Sequence, residues 1–207
     1  VGSFIWHTQL SFQATNLAGS GDQVGVLHQY GATASHDVFV SRLSTYGTES
    51  GELLTVRNGR FEASRMDSIT GGFLVGNGGD ASVSIFLADE TERTDIQDGS
   101  AAEDVLVTPD GSRMLVLNRL GGSQLIEYHL ETGASRVLDT VPWPVRMVQR
   151  SEDGRLFIFS HFAPTVEVRD LETLEILGEI SLAPHGVGTS YSDTLSDMSA
   201  DPNGDLL

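Results

Sequence analysis

The chain has 207 residues, with 29 acidic side chains against 12 basic ones and a formal charge of −17 with histidine neutral. All twelve basic residues are arginine, and neither lysine nor cysteine occurs, which excludes disulfides, thiolate metal sites, thiol nucleophiles, Schiff-base lysines and a Walker-type phosphate loop. Its 39% of hydrophobic residues suffices for a core, its acidity speaks against a nucleic-acid surface, and no apolar window is long enough for a membrane span.

Taken in chain order, the elements repeat. A short alternating strand is expected over 10–14, a turn at Gly19-Ser20-Gly21-Asp22 and a more apolar strand over 24–27. The same order returns as 65–69, Gly71-Gly72 and 73–75, then as 104–108, Pro109-Asp110-Gly111 and 114–117. It returns again as 145–149, Glu152-Asp153-Gly154 and 156–159, and starts once more at 195–199 with Pro202-Asn203-Gly204-Asp205 before Leu206. Third strands follow at 125–130 and 166–169, turns at 131–133 and 171–173, and fourth strands at 136–138 and 175–180. Glycine in the turns meets the backbone demand of tight hairpins. No stretch combines helical apolar spacing with caps.

With Gly21, Gly72, Gly111, Gly154 and Gly204 as markers, the spacings are 51, 39, 43 and 50 residues. Four strands at a period of about 46 residues is the size of a propeller blade. A four-stranded sheet with two apolar faces must stack on its neighbours, and closing such a stack gives a β-propeller. The expected fold is therefore all-β, one partial propeller domain over 1–207 with about four and a half blades out of seven. The blade limits read as 9–60, 61–99, 100–142, 143–182 and an incomplete 183–207. The start on Val1 without methionine and the stop just after a turn read as a fragment of a longer protein.

One blade carries a resemblance. Val105-Leu106-Val107-Thr108-Pro109-Asp110-Gly111 followed by Met114-Leu115-Val116-Leu117-Asn118, and later Leu130-Glu131-Thr132-Gly133, resembles a blade of the YVTN or surface-layer repeat type. The stretch 145–180 is similar, with Val166-Glu167-Val168-Arg169-Asp170-Leu171-Glu172-Thr173 in the third-strand place. Residues up to about 99 match in outline only. The resemblance implies an extracytoplasmic protein (periplasmic, secreted or on the cell surface) and implies little chemistry. WD40 signatures are absent.

Ligand sites of propellers gather where loops converge at one end of the channel. The longest loop entering an expected inner strand is 183–193, which holds His185, Ser190 and Asp193 and leads to Asp197. These four, together with His28 and His161 at expected second-strand ends, are the candidate ligand- or partner-binding residues. No catalytic residue is assigned. His185, Ser190 and Asp193 lack the Gly-x-Ser-x-Gly elbow of a hydrolase, and six dispersed histidines do not make a copper cluster. No cofactor is evident. Each Asp-Gly turn supplies one or two carboxylates where calcium wants six to eight oxygens, so calcium stays open as a bound ion without an assigned site.

Residues 89–104 hold seven acids against one arginine. This run reads as a solvated outer strand and loop, or as a docking face for a basic protein. The leading functional expectation is a non-enzymatic binding or scaffold module for a protein or small-molecule partner at the loop face. The first alternative is the propeller portion of a redox protein, associated with a cytochrome or amine dehydrogenase, whose chemistry lies outside this segment. The second is a lactonase-like hydrolase.

Overall fold

The structure is a computed structural model that describes residues 14–29, 41–59, 63–77, 82–87, 94–97, 102–118, 123–141, 144–150, 153–160 and 165–183. Among the described residues there are sixteen strands and no α-helix. They form four antiparallel sheets of four strands, each strand lying beside the next in sequence. The first sheet comprises β1 (Ala14–Ser20), β2 (Gln23–Gln29), β3 (Ser41–Gly47) and β4 (Leu53–Gly59). The second comprises β5 (Ala63–Ile69), β6 (Gly72–Asn77), β7 (Ser82–Leu87) and β8 (Thr94–Gln97). The third comprises β9 (Ala102–Val107), β10 (Arg113–Asn118), β11 (Gln124–His129) and β12 (Ser135–Thr140). The fourth comprises β13 (Pro144–Arg150), β14 (Arg155–Ser160), β15 (Thr165–Asp170) and β16 (Ile176–Ser181). Each sheet has the up-and-down order of a propeller blade.

The first strand differs from the expectation at 10–14: it is Ala14–Ser20, and residues 10–13 lie outside the described residues. Gly19 and Ser20, which read as turn residues, close the ladder opposite Val24 and Gln23, so the turn is Gly21-Asp22 alone. In the second sheet the turn glycine is Gly71, at φ 75°, while Gly72 belongs to β6. Gly111 and Gly154 also hold positive φ, the conformation a Cβ disfavours. The expected strand at 195–199 lies outside the described residues.

All four sheets share a feature that the alternation pattern did not reveal. The pairing of first with second strand skips one residue: Thr15, Ser64, Glu103 and Val145 are each the extra residue of a bulge. Beyond it, Ala14, Ala63, Ala102 and Pro144 lie opposite His28, Asn77, Asn118 and Ser160. A bulge bends its strand and increases the local twist.

The chain divides into two compact units, Val1–Ala101 and Ala102–Leu207. In the first unit, strands β1 and β5 run side by side. Leu27 and Leu43 of the first sheet pack on Met66, Phe73, Val75 and Phe86 of the second. Gly25 makes room for this: a Cβ there would come 2.8 Å from the Phe73 ring. In the second unit β9 and β13 run side by side. Leu106, Leu115, Leu117 and Leu125 of the third sheet pack on Leu156 and Ile158 of the fourth. Strands β10 and β14 are buried almost throughout, whereas β12 and β16 are exposed. Strands sandwiched on both faces read as continuous apolar runs, such as Met114–Leu117, rather than as alternations.

Candidate functional site

The end of each sheet where the second strand finishes carries a polar residue after an apolar run. These residues are His28, Asn77, Asn118 and Ser160. His28, in β2, is buried and stands across from Ala14 on β1 and Arg42 on β3. Asn118 is fully buried. Its Oδ1 accepts the Gln124 N–H at 2.9 Å, which closes the connection from β10 to β11, and its Nδ2 has no hydrogen-bond partner. In the fourth sheet the residue equivalent to His28 is Ser160 rather than His161, which lies outside the described residues. His185, Ser190, Asp193 and Asp197 also lie outside them.

One register step from this end, the first strands carry Asn16, Arg65, Asp104 and Arg146. In the second unit two of these meet. The Asp104 carboxylate is buried; its Oδ1 accepts from Val105 N–H at 3.1 Å and from Arg146 Nη1 at 3.2 Å. Its Oδ2 accepts the Met147 N–H at 2.6 Å. The Arg146 and Met147 donors on this buried carboxylate make a cross-link between β9 and β13. Gln149 Nε2 adds a second link by donating to Val107 O at 2.7 Å. Asp104 is thus part of the frame, although it falls in the acidic run 89–104. Elsewhere in that run, Asp95 accepts the Ser84 hydroxyl at 2.6 Å.

Further out in the second unit, arginines tie the two sheets together. Arg113 donates to Glu127 at 2.9 Å and to the carbonyls of Glu172 at 2.9 Å and Leu171 at 3.0 Å. Glu127, buried in β11, also accepts from Arg136 Nε, with His129 Nε2 at 3.8 Å. Burial pushes its carboxyl up, but the hydrogen bonds and charges of Arg136 and Arg113 outweigh this and leave it below the ordinary glutamate value. Arg169 joins Glu167 at 2.6 Å to Asp139 of β12 at 2.7 Å. Both buried carboxylates among the described residues, Asp104 and Glu127, are therefore occupied by arginine and backbone donors. The Asp110 carboxylate serves its own turn. It accepts the hydroxyls of Ser112 and Thr108 at 2.6 Å each and the Ser112 N–H at 3.1 Å, which hold it down to about 2.

Among the described residues no three histidine or acidic side chains come together in a way that holds a metal ion. No helix of the described residues is long and apolar enough to cross a membrane.

No known protein-family profile matches the chain, and no curated protein sequence matches it. Many solved structures do. A dihydro-haem d1 dehydrogenase, NirN, in complex with DHE is similar over 81% of this chain and 38% of its own, at TM-score 0.59 and 18% identity. Hydrazine synthase of Kuenenia stuttgartiensis matches over 85% of this chain and 51% of its own, at TM-score 0.64 and 11% identity. The β-propeller domain of Cps50 (Swd1) from Myceliophteria thermophila matches over 96% of this chain and 63% of its own, at TM-score 0.69 and 11% identity. The chain thus spans 38% to 63% of the length of these three structures. At such identities the likeness shows the fold, which is that of β-propeller blades.

Proposed function

We propose that this chain is the blade portion of a larger β-propeller that works as a non-enzymatic, extracytoplasmic binding or scaffold module of the YVTN or surface-layer type. The observation that carries this reading is the recurrence of a polar residue (His28, Asn77, Asn118, Ser160) at the same strand end in all four sheets. Each follows an apolar second strand, so every sheet carries a polar residue type at one loop end, while the buried Asp104 carboxylate beside it in the third sheet is committed to the frame. A partner or small ligand is held at the loop ends: His28 supplies contacts in the first unit, and the loop bearing His185, Ser190 and Asp193 supplies them in the second. Asp197 and His161 complete the set.

A redox assembly is the second reading. It is favoured by the likeness to NirN in complex with DHE and to hydrazine synthase. In that case the electron chemistry belongs to another part of the protein, and these blades hold or shield the group that performs it.

Titration of the purified chain with iron protoporphyrin IX and with calcium, beside a lactone-hydrolysis assay with divalent metals, tests these readings. The binding-module reading expects saturable calcium binding weakened by His28→Ala or His185→Ala, no Soret shift and no turnover. A Soret shift abolished by either substitution moves the weight to the redox assembly. Metal-dependent lactone turnover removes the non-enzymatic reading.

A further inference from the structure

Among the described residues the outermost strand of the fourth sheet, β16, pairs with β15 alone and has an open outer edge. In an antiparallel strand every second residue then directs its N–H and C=O away from the sheet. The register shift at Leu177 bends the start of the strand, and from Gly178 to Ser181 the ladder is regular. Ile176 stands opposite Arg169 on one face of the sheet and Ile180 opposite Val166 on the other. Ile176 and Leu177 are 55% and 57% exposed and Ile180 is 39% exposed, so apolar side chains flank the open edge on both faces.

The charged side chains of β16 and of the turn before it are all acidic. Glu172, Glu175 and Glu179 are exposed, and among the described residues no cation lies within ion-pair distance of their carboxylates. The strand itself contains no arginine. In β12, by contrast, Arg136 is tied to Glu127 and Val137 is the one large hydrophobic residue more than a third exposed. Natural edge strands are blunted by lysine, proline or bulges; β16 has neither lysine nor proline, and its bulge at Leu177 lies ahead of the regular stretch Gly178–Ser181.

We propose that β16 is a docking edge that takes up an extended peptide strand in which apolar residues alternate with lysine or arginine. The peptide's main chain pairs with the open side of Gly178–Ser181. Its apolar residues cover Ile180 on one face and its cations meet Glu179 on the other, while Glu175 adds negative charge at the bulged start of the strand. This surface is the outer edge of the fourth sheet; its Ser181 end leads toward the loop 183–193, and the strand-pairing test below is independent of the functional reading above.

The test is fluorescence anisotropy of the full chain with three labelled peptides: alternating valine and lysine, alternating valine and glutamate, and the lysine peptide N-methylated at alternate amides. The lysine peptide is expected to bind at least about tenfold more tightly than the glutamate peptide, and the double variant Glu175→Lys with Glu179→Lys is expected to invert that order. N-methylation keeps the charge and removes strand pairing, so a loss of about tenfold or more is expected. Equal binding of the methylated peptide overturns the proposal in favour of diffuse attraction to an acidic protein. An order unchanged in the double variant, or no binding of the lysine peptide, overturns it outright. A concentration-dependent dimer that Ile180→Glu dissociates assigns the edge to a second copy of the chain instead.

Discussion

The Asp104 carboxylate accepts the backbone N–H of Met147 at 2.6 Å, across 43 residues of sequence. It therefore fixes the height of β13 against β9 directly through the main chain, while Arg146 neutralises it from the same strand at 3.2 Å. Side-chain packing alone would tolerate sliding between two apolar sheets, but a buried carboxylate bound to one particular N–H does not.

Asp104→Ala leaves that buried N–H without its acceptor and takes the carboxylate from the half-buried Arg146 guanidinium. The expected loss is on the order of 3 kcal/mol, as for other buried pairs that lose one member. Asp104→Asn keeps one acceptor oxygen and is expected to lose less. Urea unfolding followed by circular dichroism measures both, and equal stability of Asp104→Ala and the parent chain contradicts the cross-link.

Arg113 holds one carboxylate and two carbonyls of the β15–β16 turn at once. Arg113→Ala is expected to cost roughly 2–3 kcal/mol, because Glu127 and the turn carbonyls lose a shared donor. A lysine at 113 restores the charge but not the fork of donors, so it is expected to recover only part of the loss. Full rescue by lysine, read from the same unfolding curves, shows that charge alone matters there.

Four carboxylates are held below their ordinary values in the folded chain. Hydrogen bonds from Ser112 hold Asp110 at about 2, Arg169 lowers Asp139, the Thr173 N–H lowers Asp170, and at Glu127 burial is outweighed by the arginine pair. Unfolded, such groups titrate near pH 4, so the unfolded chain binds protons first as pH falls. The stability they contribute is complete above about pH 5 and is lost progressively between about pH 4 and pH 2. Melting temperatures across this range are expected to be flat at the upper end and to drop steeply at the lower. Glu127→Gln is expected to flatten the drop, and a slope unchanged by it shows that Glu127 contributes nothing to the acid transition.

Gly25 and Phe73 form a matched pair across the two sheets of the first unit. Gly25→Ala pushes a methyl group to within 2.8 Å of the buried ring and is expected to cost about 1–3 kcal/mol. Phe73→Ala empties a core site and is expected to cost about 3–5 kcal/mol. Together they are expected to cost less than their sum, since the added methyl enters the space the ring vacates. Strict additivity in this double-mutant cycle removes the contact.

The hairpins of the third and fourth sheets are legible in the sequence because their turns demand glycine at positive φ, and Gly111 and Gly154 supply it. The first hairpin is harder to read, since Gly19 and Ser20 look like turn residues and yet pair with Val24 and Gln23. The cross-links are not legible at all. Asp104 sits in a run of acids that reads as solvated, and only its pairing with a strand 43 residues later explains its burial. His28 is found at the strand end where the second-strand pattern put it. In the fourth sheet the residue paired as His28 is paired is Ser160, and His161 lies outside the described residues.

The first-strand bulge, at the same step in all four sheets, gives every blade the same frame at that strand. A gene duplication whose breakpoints fall between a fourth strand and the following bulge inserts a whole blade with its frame already set. One that misses by a single residue turns every side chain of the inner strand to the wrong face. Lineages of such proteins are therefore expected to gain and lose blades as complete units while loop lengths drift freely between them.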